Sequence, residues 1–445
     1  MKKQTSEKNI KPVSGIPTVI AAIIIQIMLG VAYIWSVFQD GIAQTLFSGT
    51  DGEGGMGDSG ASLAFTLLLL MMTVGSIIGG KLALRFSIRR VVLAGGIIMS
   101  LGFFLSSLVT ASVPWLLWLT YGIIGGTGMG FTYSTTIAAA QKWFPHKKGL
   151  ITGLVVFGLG FGGIVFTPIV AMLIEAFGGV AQGEQQTFMV LSGIFLVGFS
   201  ICSYFLKTPI EVVGVPLPKP DSAKKVIPEG VKQYSTTEML KTPQYYMMFF
   251  AFFLACMTGV MMINFARPIA EARGAAEFAV IGVMAITVFN SVGRLFWGYI
   301  SDKLGRHITI VTLLTGNLIL SLLVNSVSGV WVFVLIACIG FLYGGIFTNF
   351  PPLTADLFGV KHLAANYGFV ILGFGVGSVV AGQIVGHFAN RSRDAVTGIV
   401  DMSAMFPAFI IAASCSAVAI VLMFVLRSKT RANLQKDGLC SSNGG

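Results

Sequence analysis

Charge is scarce in this chain. Asp, Glu, Lys and Arg together make up 11% of its 445 residues, against about 25% in an ordinary soluble domain. So few ionic groups cannot cover a water-facing surface of this size, which excludes a soluble globular protein. Acids are the scarcer sign, 18 Asp and Glu against 29 Lys and Arg. Histidine occurs four times and cysteine five times. Cys202, Cys256, Cys338 and Cys415 fall in apolar stretches and Cys440 in the tail. None has CxxC or metal-ligand spacing, so they read as packing residues. No metal cluster, nucleophile triad or pair of internal carboxylates is present, so an enzyme is not expected and no cofactor is implied. The run "GFGVGS" is embedded in an apolar stretch with no Lys and no preceding strand, which removes a phosphate loop.

Apolar length, by contrast, is abundant. Hydrophobic residues make up 55% of the chain, and the mean hydropathy is +0.84. Runs of about 20 apolar residues cross a bilayer as helices. Twelve such spans are expected, near 17–40, 61–84, 91–110, 115–140, 149–176, 187–206, 244–268, 278–300, 308–327, 329–355, 365–388 and 403–426. The expected fold is an all-α integral membrane protein, with its longer spans tilted. Residues 207–243 break the rhythm with Pro and Lys and read as a cytoplasmic linker. They divide the chain into an N-terminal half, 1–206, and a C-terminal half with its tail, 244–445. The halves repeat: Gly153, Gly158, Gly160 and Gly162 recur at one constant offset as Gly368, Gly373, Gly375 and Gly377. Two pseudo-symmetric six-helix bundles are the layout of alternating-access carriers, and one such unit suffices as a monomer. The glycines serve either close helix packing or backbone mobility during rocking.

The placement of charge orients the chain. A formal charge of +11 raises the question of nucleic acid, but the basic residues gather before the first span, after the last, and where spans 2, 4, 6, 8 and 10 end. Arg267, Arg273, Arg391 and Arg393 lie on the other side, and Arg294 lies within a span. This positive-inside pattern puts both termini in the cytoplasm of a multi-pass protein of the plasma (inner) membrane, and no nucleic-acid footprint remains. The acidic, Gly-rich stretch 51–60 falls outside. The basic N-terminus enters the first span without a small-residue cleavage site, as an uncleaved helix does.

Arg294, in "MAITVFNSVGRLFWGYISDKLGRH", is the sharpest feature. On a helix Thr287, Asn290, Arg294 and Gly298 share one face, opposite Ile286, Phe289, Leu295 and Phe296. The guanidinium then faces the bundle interior, with an amide one turn away. Ionisable groups inside a membrane are functional candidates, and a guanidinium suits bidentate capture of a carboxylate. Two plainer roles stay open: snorkelling to the nearby loop expected at Ser301, or pairing with Asp302. Other acids near the spans (Asp40, Glu175 and Asp356) sit at helix ends, so an anionic substrate would supply the missing negative charge. Tyr133 and Tyr343, in spans 4 and 10, either line that cavity or pack. Tyr33 and Trp35 are weaker candidates of the same kind. Asp302 and Arg306, in "GYISDKLGRH", either gate the cytoplasmic side or form a polar loop.

Four stretches, "GVAYIWSVF", "WFPHKKGLITGLVVFGLGFGGIVFTP", "GRLFWGYISDKLGR" and "FPPLTADLFGVKHLAANYGFV", resemble the major facilitator superfamily. Within it they resemble the oxalate/formate antiporter branch, related to the monocarboxylate transporters. The resemblance implies a central cavity between rocking bundles, with Arg294 in the place of a carboxylate-holding arginine. Asn290 would be its neighbour, and Tyr133 and Tyr343 cavity hydroxyls. Two positions depart from it. Phe374 stands where oxalate exchangers carry a lysine, and no Lys or Arg occurs in 365–388. Leu84 replaces the acid of the turn between spans 2 and 3. One cation beside an apolar wall suits one carboxylate. The expected activity is therefore secondary transport of lactate, pyruvate or formate, with a proton or a counter-anion as partner and the bilayer as surroundings. Carriage of another solute (oxalate, an aromatic acid, a sugar or a drug) and a sensor or channel without coupled transport are the alternatives.

Overall fold

A backbone in hydrocarbon must satisfy its own hydrogen bonds, which leaves helix as the form for each apolar run. The computed structural model describes residues 14–48, 57–209, 232–265, 269, 279–328, 331–392 and 401–436. Among these, twelve long helices follow in order. In the first half they are α1 (Ile16–Leu46), α2 (Gly57–Leu82), α3 (Ile88–Ser106), α4 (118–143), α5 (Lys148–Ala176) and α6 (Glu184–Phe205). In the second they are α7 (Pro243–Asn264), α8 (Ala279–Leu304), α9 (Arg306–Leu323), α10 (Trp331–Phe358), α11 (Leu363–Ser392) and α12 (Met402–Lys436). Ten of them contain stretches long and apolar enough to cross a membrane; α4 and α8 complete the twelve. α1 tightens to a 3-10 turn at Gly30–Ile34, and α4 begins as a π-helix over Trp118–Gly125.

Packing repeats with the sequence. In the first half α1 packs on α5, α2 on α4 and α3 on α6; in the second α7 packs on α11, α8 on α10 and α9 on α12. The halves join along two main seams, α5 on α8 and α2 on α11. The repeated glycines divide between these duties. A Cβ on Gly158 would meet the Ile23 carbonyl of α1 at 2.6 Å, and one on Gly373 the Phe249 carbonyl of α7 at 3.1 Å. A Cβ on Gly153 would meet the Arg294 carbonyl at 2.7 Å, and one on Gly368 the Ser76 carbonyl, also at 2.7 Å. Close backbone approach therefore builds both the bundles and the seams between them.

Three details differ from the expectations. Ser301 is helical, because α8 runs to Leu304 and α9 starts at Arg306; Gly305, at φ +86°, makes the whole turn. Ile286 is not on the lipid-facing side but is buried against Gly340, since eight residues before Arg294 is only about 80° around a helix. The end of the expected linker is docked: Tyr234 N–H donates to the Phe358 carbonyl at 3.0 Å, and Thr236 Oγ1 donates to Asn366 Oδ1 at 2.9 Å. Residues 210–231 of the linker, 51–56 of the acidic loop, and Arg267, Arg273 and Arg393 lie outside the described residues.

Candidate functional site

The site is built around Arg294, which α8 carries on its inward face at 0% exposure. Its Nε donates to Asn290 Oδ1 at 3.1 Å, one turn earlier on the same helix. Asn290 is itself held by its Nδ2, which donates to the Gly340 carbonyl of α10 at 3.0 Å. The other two guanidinium nitrogens cross to the first half. Nη1 donates to the Val156 carbonyl of α5 at 2.9 Å, and Nη2 to Tyr33 Oη of α1 at 2.7 Å. The rings of Tyr33 and Phe347 each lie 5.6 Å from the guanidinium carbon, close enough for attraction to a ring face. The Arg294 side chain thus neither snorkels nor pairs with Asp302. Its hydrogen-bond partners Asn290, Val156 and Tyr33 are all neutral, and among the described residues no carboxylate pairs with it.

Around this cation the wall is aromatic. The Tyr343 ring stands edge-on to Phe347 at 5.4 Å, and Phe347 edge-on to Phe374 at 4.8 Å. Phe374 is therefore one ring removed from the guanidinium, and among the described residues no second cation takes its place. Tyr133 of α4 faces Tyr367 of α11 with ring centres 6.4 Å apart. Their hydroxyls are near enough to interact, yet each is buried without a partner in hydrogen-bonding geometry. An unpaired buried hydroxyl costs about 1–3 kcal/mol, so two together are a candidate place for a ligand or water. Trp35 packs on Tyr121 at 4.6 Å and is not part of this group.

Toward the face that carries the Lys- and Arg-rich helix ends, a second cluster joins the halves. The Asp302 carboxylate, in the last turn of α8, accepts the Gly149 N–H at 3.0 Å and the Leu150 N–H at 2.8 Å. Lys147, at the N-cap of α5, gives no side-chain cap of its own, so Asp302 caps that helix from the other half. Arg306 Nη2 pairs with Asp302 at 2.5 Å, and its Nε with Asp356 at 3.3 Å; Lys148 pairs with Asp356 at 2.6 Å. Among the described residues, the seam between α2 and α11 has no such acid. There Leu84 is exposed, and Gly80 abuts the Ala364 backbone instead.

The structure thus brings Arg294, Asn290 and Tyr33 into direct contact. Tyr343 and Phe374 are joined to Arg294 through Phe347, and Tyr133 is paired with Tyr367. Asp302 and Arg306 form a separate cluster. Sequence reasoning missed Phe347, Tyr367, Lys148 and the Val156 carbonyl. Phe347 was open to inference, four residues after Tyr343 on one helix face. A backbone carbonyl has no sequence signature.

Comparison with known proteins agrees with this architecture. The family model described as Major Facilitator Superfamily matches residues 18–382 and 248–438. The chain is 34% identical over 370 residues to the uncharacterized MFS-type transporter YhjX of Escherichia coli, covering 81% of this chain and 85% of that one. It is 28% identical to the oxalate:formate antiporter of Oxalobacter formigenes, covering 82% and 84%. It is 25% identical to apicoplast pyruvate carrier 1 of Toxoplasma gondii, covering 67% and 64%. Among solved structures, the E. coli fucose:proton symporter superposes with a TM-score of 0.65 at 14% identity, over 93% of this chain and 99% of the other.

Proposed function

Because the chain belongs to the major facilitator superfamily, we propose that it is a secondary carrier of small organic anions, foremost lactate, pyruvate and formate. The observation that carries this reading is the wholly buried Arg294 guanidinium with neutral partners only. A buried charge without a counter-charge is costly by several kcal/mol, and a carboxylate arriving as substrate removes that cost. The names of two relatives, an oxalate:formate antiporter and a pyruvate carrier, describe solutes of this chemistry. Phe374 favours a single carboxylate over oxalate, because a second one would meet a phenyl ring.

The cycle follows from which half each contact belongs to. Arg294 stands in the second half and holds Val156 and Tyr33 of the first. A carboxylate taking the Nη2 and Nη1 donors replaces those bonds, with Asn290 keeping the guanidinium aimed through Nε. The buried hydroxyls of Tyr133 and Tyr367, one from each half, take the substrate's remaining oxygen. Phe347 and Phe374 enclose its carbon chain. The halves 1–206 and 244–445 rock about the bound anion, joined by the 207–243 linker. With both termini cytoplasmic in the plasma membrane, the cluster of Asp302, Arg306, Lys148 and Asp356 is the inner gate. The arrangement described here has that gate closed. Tyr33, 44% exposed beside a fully buried Arg294, marks the outward approach. A monomer contains every group the cycle uses.

Uptake of labelled lactate into proteoliposomes tests the substrate class, with acetate, oxalate, benzoate and glucose as competitors. Competition by the short monocarboxylates but not by glucose supports the reading, and the reverse order overturns it. Repeating uptake with an imposed proton gradient, and then with lactate preloaded inside, separates proton symport from anion exchange.

A further inference from the structure

The lipid-facing periphery of the first half carries a different arrangement of charge. Arg85 precedes α3, Arg89 and Arg90 stand in its first turn, and Lys207 follows the end of α6. All four are exposed, and none takes part in an ion pair among the described residues. Two of them converge on one ring: the Arg89 guanidinium carbon lies 4.6 Å from the centre of Tyr204 and Lys207 Nζ lies 6.0 Å from it. Like charges gathered near one ring repel each other, and an anion beside them relieves that repulsion.

The backbone at Lys207 is pinned. Its N–H donates to Thr18 Oγ1 at 3.3 Å, and its carbonyl accepts from Trp143 Nε1 at 2.8 Å. The backbone from which the Lys207 side chain extends is thereby held by the fold. Directly along the two helices from these charges the surface is apolar. Val197 and Ile201 of α6 are 59% and 57% exposed, and Ile97 and Leu101 of α3 are each 47% exposed. Val197 and Ile201 share one face of α6 with Tyr204, and Ile97 and Leu101 share one face of α3 with Arg90, so apolar surface continues from these residues into the membrane. A free phosphate or a nucleic acid would use the charges and leave that apolar face idle. A phospholipid uses both.

We propose that Arg89, Lys207 and Tyr204, with Arg90 beside them, bind the headgroup of an anionic phospholipid of the cytoplasmic leaflet. The phosphate lies against the two cations beside Tyr204, and the acyl chains run along the exposed apolar face of α6 that continues from Tyr204. Clusters of basic residues at this depth attract anionic headgroups, and tyrosine is at home at the interface. The site lies on the first half and the first residue of the linker and does not touch Arg294, so it stands or falls independently of the transport reading.

The test is native mass spectrometry of the full chain released from nanodiscs of phosphatidylcholine with a minor share of phosphatidylglycerol. The wild type should retain phosphatidylglycerol in preference to phosphatidylcholine. In the Arg89→Gln/Lys207→Gln variant that preference should fall about thirtyfold, the effect of two interfacial charges. A Tyr204→Leu variant keeps both charges and should lose a smaller part of it. Chromatography as a single species establishes that each variant is folded. Wild-type retention in the folded double variant, or no preference in the wild type, overturns the site. So does displacement of the lipid by inorganic phosphate at equal concentration, which would make the ligand a free anion.

Discussion

Replacing Asp302 by Asn tests the inner gate at its centre. The carboxylate is 13% exposed and uses both oxygens on the N-terminus of α5, at 3.0 and 2.8 Å, while one of them also holds Arg306 at 2.5 Å. An amide keeps one acceptor and turns its NH2 toward the other backbone N–H, donor against donor. One charge-assisted hydrogen bond and the charge at the helix terminus are lost, together about 2–3 kcal/mol. These contacts exist only while the halves meet at this face. The loss therefore shifts the equilibrium toward the inward-open form by roughly 30- to 140-fold. The assay is double electron–electron resonance between spin labels at His146 and Lys361, both in the turns of that face. The wild type should give a short distance, and Asp302→Asn should add or enlarge a long-distance population. An unchanged distribution in a correctly folded variant would refute the trans-capping account.

Other outcomes follow from the same geometry. Tyr133→Phe and Tyr367→Phe each remove a buried hydroxyl that has no partner, so thermal stability should hold or rise. Lactate uptake should meanwhile fall about five- to tenfold in kcat/KM, the worth of one hydrogen bond; a loss of stability with normal uptake would make the hydroxyls structural. Phe374→Lys places a second cation one ring from Arg294 and should raise oxalate competition relative to lactate by about tenfold or more, read from inhibition of labelled uptake. His362, in the turn before α11, is held below its ordinary value by burial, with Lys361 and Lys142 adding to this. The folded form therefore prefers the neutral ring, and its stability contribution is complete above about pH 6.5 and declines as the pH falls through that value. His362→Gln should accordingly show a smaller drop in Tm between pH 7.5 and 5.5 than the wild type; an equal drop would assign the acid sensitivity elsewhere.

Much of the architecture could be read from the chain because lipid permits so little else. Twelve apolar runs had to become helices, and the shared glycine pattern announced that α5 and α11 play one part in two halves. Arg294 and Asn290 were readable as a pair because one helix carries both, four residues apart. What completes the site was not readable. Val156 and Tyr33 lie 138 and 261 residues from Arg294 along the chain, and only packing brings them together. Tyr133 and Tyr343 were readable only as residues of spans 4 and 10, and the structure sets Tyr133 against Tyr367, because α4 meets α11 across the seam. The gate shows the same limit. Asp302 and Arg306 stood out as charges, whereas the groups that Asp302 caps are backbone amides. The turn itself was misjudged, since a single left-handed Gly305 does the work of the expected loop.

The central claim is that the Arg294 guanidinium receives the substrate's carboxylate. It is tested most directly by uptake of labelled lactate into proteoliposomes holding equal amounts of wild-type, Arg294→Lys and Arg294→Ala protein. Uptake at background for alanine, and only a small fraction of wild type for lysine, is the expected result, because a point charge cannot replace the planar fork. Saturable, wild-type uptake by a folded Arg294→Ala variant would contradict it.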